Sequence, residues 1–337
     1  MTHGVYTVAN DVVYDQLVAF LNSVEVNAGA DTPVCVIAYD ERTDKIRAEI
    51  ESRKNVTLLN DPGLFEPWEE FSGRVWKAHP KAMRVWEKQG IKGVYRIGMN
   101  RRYALFDPAA PFDKFIYFDA DTLVLGPLDF VFERLEQHPF IVYDYQYKDP
   151  SHIYNLKSPK LYDVFDESRI RSEIFCAGFY AAQKGLFSNE QRDWLVSRLE
   201  EGDAEVLYYS APNQSVLNYM VMRSGVPVHN LIFHLPEDQR TGNAATSTRF
   251  VMRDGTLYED GKRRLTYIHY IGISSRAFNE LCQGVNHGFP YRDVFLHYRY
   301  LHEPEKRPVL KGKPKPFGAP PSLMTRALQK VGLVKAK

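Results

Sequence analysis

The sequence predicts an α/β protein in which a mostly parallel central sheet is flanked by helices, with a small, basic, helical extension at the carboxyl end. Three observations support this. Strand-like and helix-like runs alternate through residues 5–59, as in βαβ units. A chain of 337 residues with 44% hydrophobic side chains can bury a large core. A bulky apolar run then leads directly into two aspartates, as a buried strand does where it ends at a functional edge.

The elements of the first half follow from short apolar runs and the turn-forming residues that close them. The expected strands are 5–9, 34–39, 56–59 and 115–118. The expected helices begin near Val12 and span 41–53 and 95–106, the last one ending before Pro108. Strands connected in this way lie parallel, so their carboxyl ends share one edge of the sheet.

The second half continues the alternation and then becomes polar. The expected strands are 140–143, 175–182 and 266–271, and the expected helices are 128–137, 189–201 and 213–224. Residues 148–172 are expected to form a polar loop. Within 236–265, Asp254-Gly255 and Asp260-Gly261 predict two hairpin turns, because both positions of such a turn need a positive φ angle.

Charge divides the chain into a body and a tail. From residue 303 onward nine Lys or Arg side chains face only two Glu, although the whole chain carries a net charge of +1. We expect a single domain over 1–302, a Pro/Lys-rich linker over 303–320 and a basic amphipathic helix over 321–337. The apolar stripe of that helix would comprise Leu323, Met324, Ala327, Leu328, Val331 and Val334.

The composition also limits the partners and the location of the protein. The near-zero net charge gives no case for nucleic-acid binding. Three widely spaced cysteines favour a reduced compartment, and neither a signal peptide nor a membrane-spanning run is evident. We expect a cytoplasmic protein. Its tail is interpreted either as an anchor on an anionic membrane surface or as an ordinary solvated end.

Asp119 and Asp121 are the strongest candidates for chemistry in the sequence. They follow the apolar run at 115–118 and precede another at 123–125, so both carboxylates are expected at the carboxyl edge of a strand. Two carboxylates so close repel each other unless a cation lies between them. Hard oxygen donors favour Mg²⁺ or Mn²⁺, and such an ion would bind a diphosphate.

The segment Asp113-Lys-Phe-Ile-Tyr-Phe-Asp-Ala-Asp-Thr-Leu-Val-Leu-Gly-Pro-Leu-Asp resembles the nucleotide-sugar-binding core of GT-A-fold glycosyltransferases. It is most similar to the family-eight group, which includes glycogenin and bacterial lipopolysaccharide galactosyl- and glucosyltransferases. Other segments resemble that family in the same order along residues 5–276. They are 5–14, Phe175-Cys-Ala-Gly, Asn213-Gln-Ser-Val-Leu-Asn and His269-Tyr-Ile-Gly.

This resemblance implies a GT-A fold, a UDP-sugar donor and a divalent ion. The donor-binding residues that it implies are Val8, Ala9, Asn10, Tyr14, Arg102, Asp119, Ala120, Asp121, Cys176, Ala177, Gly178, His269, Gly272 and Arg276. Asn10 and Tyr14 would bind uracil and ribose, and Arg102 would be directed at the donor. Asp119, Asp121 and His269 would hold Mn²⁺ or Mg²⁺ through two carboxylates and an imidazole.

For catalysis, the resemblance implies transfer with anomeric retention by front-face attack. Gln214 would lie beneath the reacting sugar, with Asn213 next to it in the sequence. Asp144, which follows the apolar run 140–143 and so lies at another strand edge, would either bind sugar hydroxyls or be a surface acid that ends its strand. The acceptor would be a saccharide, a glycolipid or another small molecule. The chain departs from the family pattern where Cys176-Ala177 replaces Asn-Ser and where Asn213 replaces Asp.

Two alternative functions stay open, together with one alternative site. A nucleotide-sugar-binding protein that has lost turnover would explain the substitutions around the sugar. A sugar nucleotidyltransferase is disfavoured, because residues 8–14 lack the glycines of a triphosphate loop. Trp68, Trp76 and Trp86 would form either a platform for the acceptor or, as we favour, the buried faces of helices.

Overall fold

The computed structural model describes residues 2–247 and 249–317 and has the expected α/β architecture. In chain order the strands are β1 (His3–Ala9), β2 (Val34–Ala38), β3 (Val56–Leu59), β4 (Lys114–Phe118), β5 (Thr122–Val124), β6 (Phe140–Val142), β7 (Phe179–Gln183), β8 (Val228–Asn230), β9 (Phe250–Arg253), β10 (Thr256–Glu259), β11 (Arg263–Arg264), β12 (Tyr267–His269), β13 (Val285–Gly288) and β14 (Lys311–Pro316). The α-helices are α1 (Tyr14–Asn27), α2 (Asp44–Glu51), α3 (Pro62–Ala78), α4 (Ala82–Lys88), α5 (Ile97–Asn100), α6 (Asp129–Arg134), α7 (Leu161–Val164), α8 (Glu167–Glu173), α9 (Asn189–Glu200), α10 (Pro212–Arg223), α11 (Leu231–His234), α12 (Ser275–Cys282) and α13 (Arg292–Arg299).

The central sheet has seven strands in the order β3-β2-β1-β4-β7-β6-β8. Its pairs are parallel except that β7 runs antiparallel to both β4 and β6. The carboxyl ends of the other six strands therefore lie at one edge, and β7 begins at that same edge. Segments that leave six strands and one segment that enters the seventh thus share this edge, where ligands bind in open α/β sheets.

Both faces of the sheet are covered, because successive side chains of a strand point to opposite sides. In β4, Tyr117 belongs to the apolar core that also contains Trp68, Trp76 and Trp86. Its neighbour Ile116 belongs to the core on the other side, with α1. Since the three tryptophans are all buried, they pack between helices and sheet and do not form an exposed platform for an acceptor.

The polar segment 236–265 contains a small sheet in the order β11-β10-β9. The two predicted hairpin turns connect its strands. Asp254 and Gly255 have φ angles of 49° and 76°, and Asp260 and Gly261 have φ angles of 52° and 67°. Asp254-Gly255 is a two-residue hairpin turn, which requires positive φ at both central positions. Asp260-Gly261 forms the same kind of turn, closed by the N–H of Lys262 on the carbonyl of Glu259 at 3.1 Å, and Lys262 makes this connection three residues long. Both Asp-Gly pairs thus predicted the positions of the turns correctly.

Two predicted elements differ in the structure for local reasons. The strand expected at 175–182 begins only at Phe179, because side chains bind the backbone before it. Asn218 binds the N–H and C=O of Phe175. The side chains of Asp144 and Gln214 accept from the N–H groups of Cys176 and Ala177. The helix expected at 95–106 is divided into α5 and the 3₁₀ segment Arg101–Phe106.

Two segments expected to be irregular contain regular structure. The loop expected at 148–172 includes α7 and most of α8. The linker expected at 303–320 is described as far as Phe317, and β14 within it pairs in parallel with β13. The helix expected at 321–337 lies outside the described residues. Among the described helices, none has the length and apolar character that a membrane crossing requires.

Candidate active site

Asp119 and Asp121 directly follow β4, at the edge where the carboxyl ends of the strands meet. Asp119 donates its backbone N–H to the carbonyl of Gly178 at 2.9 Å and accepts from the N–H of Thr122 at 3.1 Å, which turns the chain into β5. β5 pairs antiparallel with β12 in a register that places Thr122 opposite His269. This register brings the late histidine next to the two aspartates.

The side chains of Asp119, Asp121 and His269 converge. Nε2 of His269 lies 3.3 Å from Oδ1 of Asp121 and 4.0 Å from Oδ2 of Asp119. One ligand atom from each residue lies within 4.8 Å of the other two, and no other group of three His, Cys, Asp or Glu in the described residues does so. Two carboxylate oxygens and one imidazole nitrogen are donors that Mn²⁺ and Mg²⁺ accept, so these residues fit a divalent ion.

Burial and opposite charge compete in this group. Burial raises the pKa of Asp121, but the neighbouring His269 outweighs it and the pKa falls below its ordinary value. Burial lowers the pKa of His269, yet the charge and hydrogen bond of Asp121 raise it well above its ordinary value. Without a cation, an imidazolium therefore neutralises the nearby carboxylates. A divalent ion would replace that proton as the compensating positive charge.

Arg102, which was predicted to be directed at the donor, lies next to Asp119. Its side chain is fully buried. The guanidinium donates to the backbone oxygens of Met99 and Ala177 and, at 2.8 Å, to Oδ1 of Asp119. In this structure Arg102 therefore supports the carboxylate of Asp119 and ties it to the backbone of Met99 and Ala177.

Gly178 gives the imidazole of His269 the space that it occupies. A Cβ atom at Gly178 would lie 2.3 Å from Cε1 of His269, which is closer than any real contact. The other ring nitrogen, Nδ1, lies 3.9 Å from Sγ of Cys176. Ala177, between these two residues, is buried. The segment predicted to line the sugar site thus packs against the ring that faces the aspartates.

Asp144 follows β6 at the same edge and is buried. Its Oδ1 accepts from the N–H of Gln146 at 2.7 Å and its Oδ2 accepts from the N–H of Cys176 at 3.0 Å. Burial outweighs these two hydrogen bonds and raises the pKa of the Asp144 carboxyl to about 7. The residue therefore joins the end of β6 to the segment before β7, and it titrates near neutral pH.

Gln214 and Asn213 lie at the beginning of α10, behind this segment. Oε1 of Gln214 accepts from the N–H of Ala177 at 3.0 Å, and its Nε2 donates to the carbonyl of His152 at 3.3 Å. Asn213 is buried, and its carbonyl accepts from the hydroxyl of Tyr103 at 2.8 Å. Both residues hold the wall of the site in place in this structure.

Val8, Ala9 and Asn10 end β1, which is the parallel neighbour of β4. They therefore lie at the same edge as Asp119. Val8 and Ala9 are buried. Oδ1 of Asn10 accepts from the N–H of Val12 at 3.1 Å and so begins the 3₁₀ turn Asp11–Val13. Its Nδ2 donates to Asp40 at 3.0 Å, so the amide is engaged within the protein at this position.

The remaining predicted donor residues lie on surrounding elements. The hydroxyl of Tyr14 donates to Glu49 at 3.0 Å, and burial together with that carboxylate raises its pKa to about 12. Gly272 has a φ angle of 82°, which suits glycine. Arg276 lies on the exposed side of α12, where it pairs with Glu280 at 2.6 Å. The structure shows no contact of Arg276 with the two aspartates or His269.

A cleft of about 710 Å³ opens next to the converging side chains. It shares Asp144, Cys176 and His269 with the site described above. Three aromatic side chains, Tyr145, Tyr147 and Phe233, form a row along the cleft, and Asn243 contributes an amide. The charged residues that line it include Lys148, Glu237, Arg240, Arg249, Glu259 and Arg263. A second cavity, of about 640 Å³, is formed by residues of α1, α2 and α13 and contains none of the converging side chains.

The aromatic row of the cleft was not predicted from the sequence. The rings of Tyr147 and Phe233 are 4.8 Å apart and those of Tyr145 and Tyr147 are 6.4 Å apart. Phe233 is 47% exposed, which is high for a large apolar side chain. The sequence pattern Tyr-x-Tyr directly after Asp144 could have indicated the two tyrosines. Nothing in the sequence predicts that Phe233, which is distant in the chain, packs beside them.

No family model matches the chain, and no curated protein sequence matches it. Solved structures do match. The "WbbM bifunctional glycosytransferase" apo structure superimposes with a TM-score of 0.55 at 13% identity, covering 91% of this chain and 52% of that one. Mouse xyloside xylosyltransferase 1 gives a TM-score of 0.49 at 10% identity, covering 68% and 85%. Galactosyltransferase LgtC, in complex with donor and acceptor sugar analogs, gives 0.46 at 17% identity, covering 82% and 94%.

The match to the WbbM structure confirms the fold that the sequence predicted. Its central sheet with flanking helices is the GT-A fold of that glycosyltransferase. This chain spans about half the length of the WbbM chain. At such low identities the likeness concerns the fold alone.

Proposed function

We propose that this protein transfers a sugar from a UDP-sugar to an acceptor in a reaction that depends on Mn²⁺ or Mg²⁺. One observation carries the proposal. In a GT-A fold, two carboxylates and an imidazole from distant parts of the sequence converge within 4.8 Å at the carboxyl edge of β4. Buried titratable groups brought together in this way from distant parts of the chain are typical of a functional site.

Asp119, Asp121 and His269 would hold the ion, which when bound neutralises the charge on a diphosphate leaving group. Asp121 supplies a carboxylate whose lowered pKa keeps it ionised. His269 must release its proton to offer Nε2, and the packing of its ring over Gly178 fixes the direction of that nitrogen. Arg102 stabilises Asp119 from behind.

The donor nucleotide would occupy the edge beyond β1, where the backbone of Val8 and Ala9 ends beside the turn capped by Asn10. Asn10 and Tyr14 each have a side-chain partner in the structure. We therefore propose that they exchange or share these partners when uracil and ribose bind. The donor sugar would lie toward Cys176 and Gln214.

The cleft beside His269 would admit the acceptor. Its volume of about 710 Å³ is within the range of about 300–1,000 Å³ that is typical of small-molecule sites. Aromatic rings can bind the apolar face of a pyranose, and the amide and charged groups opposite can bind hydroxyls. Asp144 lies where the cleft meets the ion site, so its carboxylate would contact the sugar hydroxyls. In line with the family-eight resemblance, we propose retention of the anomeric configuration.

A nucleotide-sugar-binding protein without turnover is the second candidate, favoured by one observation. The amide that other family members place before the Gly178 equivalent is replaced by Cys176, and Ala177 offers only its backbone. Incubation with a panel of UDP-sugars and saccharide acceptors separates the two functions. A glycosylated product detected by mass spectrometry supports transfer, whereas metal-dependent UDP binding with no product from any pair supports binding alone.

The ion site is tested by Asp121→Asn, with Asp129→Asn as the control because Asp129 is an exposed aspartate in the first turn of α6. In calorimetry, Mn²⁺ should raise the UDP affinity of the unaltered protein and of the control, since both retain the carboxylate pair. It should not raise that of Asp121→Asn. Equal gains in all three proteins would exclude the metal assignment.

A further inference from the structure

Tyr117 lies two residues before Asp119, so both side chains point to the same face of the strand. The hydroxyl of Tyr117 donates to Oδ1 of Asp119 at 2.7 Å. Arg102 donates to the same oxygen at 2.8 Å. One carboxylate oxygen of Asp119 therefore accepts two strong hydrogen bonds, both from groups that are shielded from solvent.

The two oxygens of Asp119 are thus used unequally. Oδ2 is the oxygen that lies 4.0 Å from Nε2 of His269, and no hydrogen bond of Tyr117 or Arg102 reaches it. Hydrogen bonds on Oδ1 fix the rotation of the carboxylate and reduce the ability of that oxygen to bind an ion. Groups that orient metal ligands in this way commonly change metal affinity when they are removed.

Packing prevents the two donors from moving away. Tyr117 has no exposed surface, and its ring stacks on that of Tyr180 with centroids 4.9 Å apart. The guanidinium of Arg102 lies 4.5 Å from the centroid of the Tyr117 ring. Its other nitrogens are held by the carbonyls of Ala177 and Met99. The donors are therefore in place before any ion binds.

We propose that Tyr117, supported by Arg102, is a positioning residue that makes Asp119 a one-oxygen ligand through Oδ2. This inference rests on the proposed metal-dependent function and adds to it the identity of the ligand atom and the residue that selects it. A carboxylate limited to one oxygen leaves more positions on the ion for oxygens of a diphosphate. The same bonds account for the burial of Arg102.

Tyr180 provides a matched control for Tyr117. The two residues face each other in the register of β4 and β7, and both side chains are fully buried. They differ in their hydroxyls, because that of Tyr180 has no hydrogen-bond partner within the described residues. Tyr117→Phe removes a bond to Asp119, whereas Tyr180→Phe removes a hydroxyl of the same kind without a partner. Each variant retains the stacked rings.

The experiment measures Mn²⁺ affinity at a fixed, saturating concentration of UDP, by calorimetry and by the electron paramagnetic resonance of bound Mn²⁺. Tyr117→Phe should weaken Mn²⁺ binding by about 10–100-fold, the usual effect of removing a group that orients a ligand. It should also change the spectrum of the remaining bound ion. Tyr180→Phe should stay within about 2-fold of the unaltered protein, because no bond to a ligand is lost.

Two further measurements separate positioning from general damage. Without metal, Tyr117→Phe should melt at a lower temperature than the other two proteins, because it loses a buried hydrogen bond to a carboxylate. It should still be folded at the temperature of the binding measurements, and its UDP affinity without metal should be unchanged. Equal Mn²⁺ affinity in Tyr117→Phe and the unaltered protein would overturn the positioning role alone, as would equal weakening in both variants. No Mn²⁺ binding by the unaltered protein would overturn the proposed metal-dependent transfer, and the positioning role with it.

Discussion

The imidazole of His269 occupies a space that exists because residue 178 has no side chain. A methyl group at residue 178 would clash with the ring, since Cε1 and Nδ1 of His269 would both lie within 2.7 Å of the new carbon. The ring cannot move away freely, because the backbone of His269 is bonded to Asn243 and Ala245 on either side. The position of Nε2 therefore depends on residue 178.

Gly178→Ala should accordingly weaken Mn²⁺ binding by at least about 10-fold, the scale expected when a group that positions a ligand is disturbed. Gly73→Ala is the control, because a Cβ at that position in α3 has nothing within 4 Å. It should leave Mn²⁺ binding unchanged and raise the free energy of unfolding by about 0.5–1 kcal/mol, as alanine does in a helix. Calorimetry and urea unfolding check both outcomes. Unaltered Mn²⁺ affinity in Gly178→Ala would show that the ring tolerates displacement.

At this scale the sequence predicted which residues meet, but not how they are held. Asp119, Asp121 and His269 were identified from an apolar run, a spacing and a resemblance, and the structure brings them together. The roles of Tyr117 and Gly178 were not predicted. The direction of a hydroxyl and the space above a glycine depend on β7 and β12, which lie far away in the chain. For Arg102 the sequence predicted the neighbourhood and not the partner.

His79 precedes α4 and holds its first turn. Its Nδ1 accepts from the N–H groups of Lys81 and Ala82 at 3.2 and 3.0 Å, which is possible only while that nitrogen carries no proton. Burial is the largest cause that lowers the pKa of His79, to about 4. The folded protein therefore stays unprotonated at His79 at pH values where the unfolded chain already binds a proton.

This difference makes stability depend on pH in a defined window. Between the unfolded pKa of about 6.5 and the folded pKa of about 4, the unfolded chain binds more protons, so the free energy of unfolding falls as pH falls. Above about pH 6.5 the stabilising contribution of unprotonated His79 to the free energy of unfolding is fully present. For one proton the slope is at most about 1.4 kcal/mol per pH unit. His79→Asn keeps an acceptor in place without titrating, so its slope in urea unfolding from pH 7.5 to 5 should be smaller. Equal slopes of the free energy of unfolding against pH in the unaltered protein and in His79→Asn would refute this role of His79.

Among the elements, predictions succeeded where a pattern is local and failed where distant groups bind the backbone. The Asp-Gly hairpin turns were predicted because a positive φ is a property of the residues themselves. The start of β7 was placed too early, because its apolar residues also fit a strand while Asn218, Asp144 and Gln214 bind the backbone of 175–177 instead. β14 was predicted as linker, since lysine and proline alternate there and only β13 makes it a strand.

For the whole molecule, we propose a cytoplasmic location with the basic carboxyl-terminal region against an anionic membrane surface. The six residues of β14 are all exposed, and Lys311, Lys313 and Lys315 alternate along it. Beyond Phe317 the sequence adds further lysines and arginine. Each basic side chain near such a surface contributes about 1 kcal/mol, so several together would bind measurably at low ionic strength.

Deleting residues 318–337 should therefore reduce co-sedimentation with vesicles of phosphatidylglycerol and phosphatidylcholine. UDP affinity should stay the same, since the ion site lies within the part of the chain that is retained. Replacing Lys311, Lys313 and Lys315 with Gln should cause a smaller loss, and vesicles of phosphatidylcholine alone should bind none of the proteins. Undiminished binding of the truncated protein to anionic vesicles would rule out this region as the anchor.

The segment between β6 and β7 departs from the edge of the sheet and returns to the same place. Its two ends are joined by the hydrogen bond from the N–H of Cys176 to Asp144, at 3.0 Å. Between them, residues 145–149 and His152 form one wall of the cleft. Farther along the segment, Tyr154 and Phe165 are buried in the core beside the sheet and tie it to the rest of the fold. The wall itself is a short stretch, and loop closure becomes only about 0.6 kcal/mol harder for each doubling of length. The fold could thus acquire new acceptors by changes confined to this wall, while Asp119, Asp121 and His269 stay as they are.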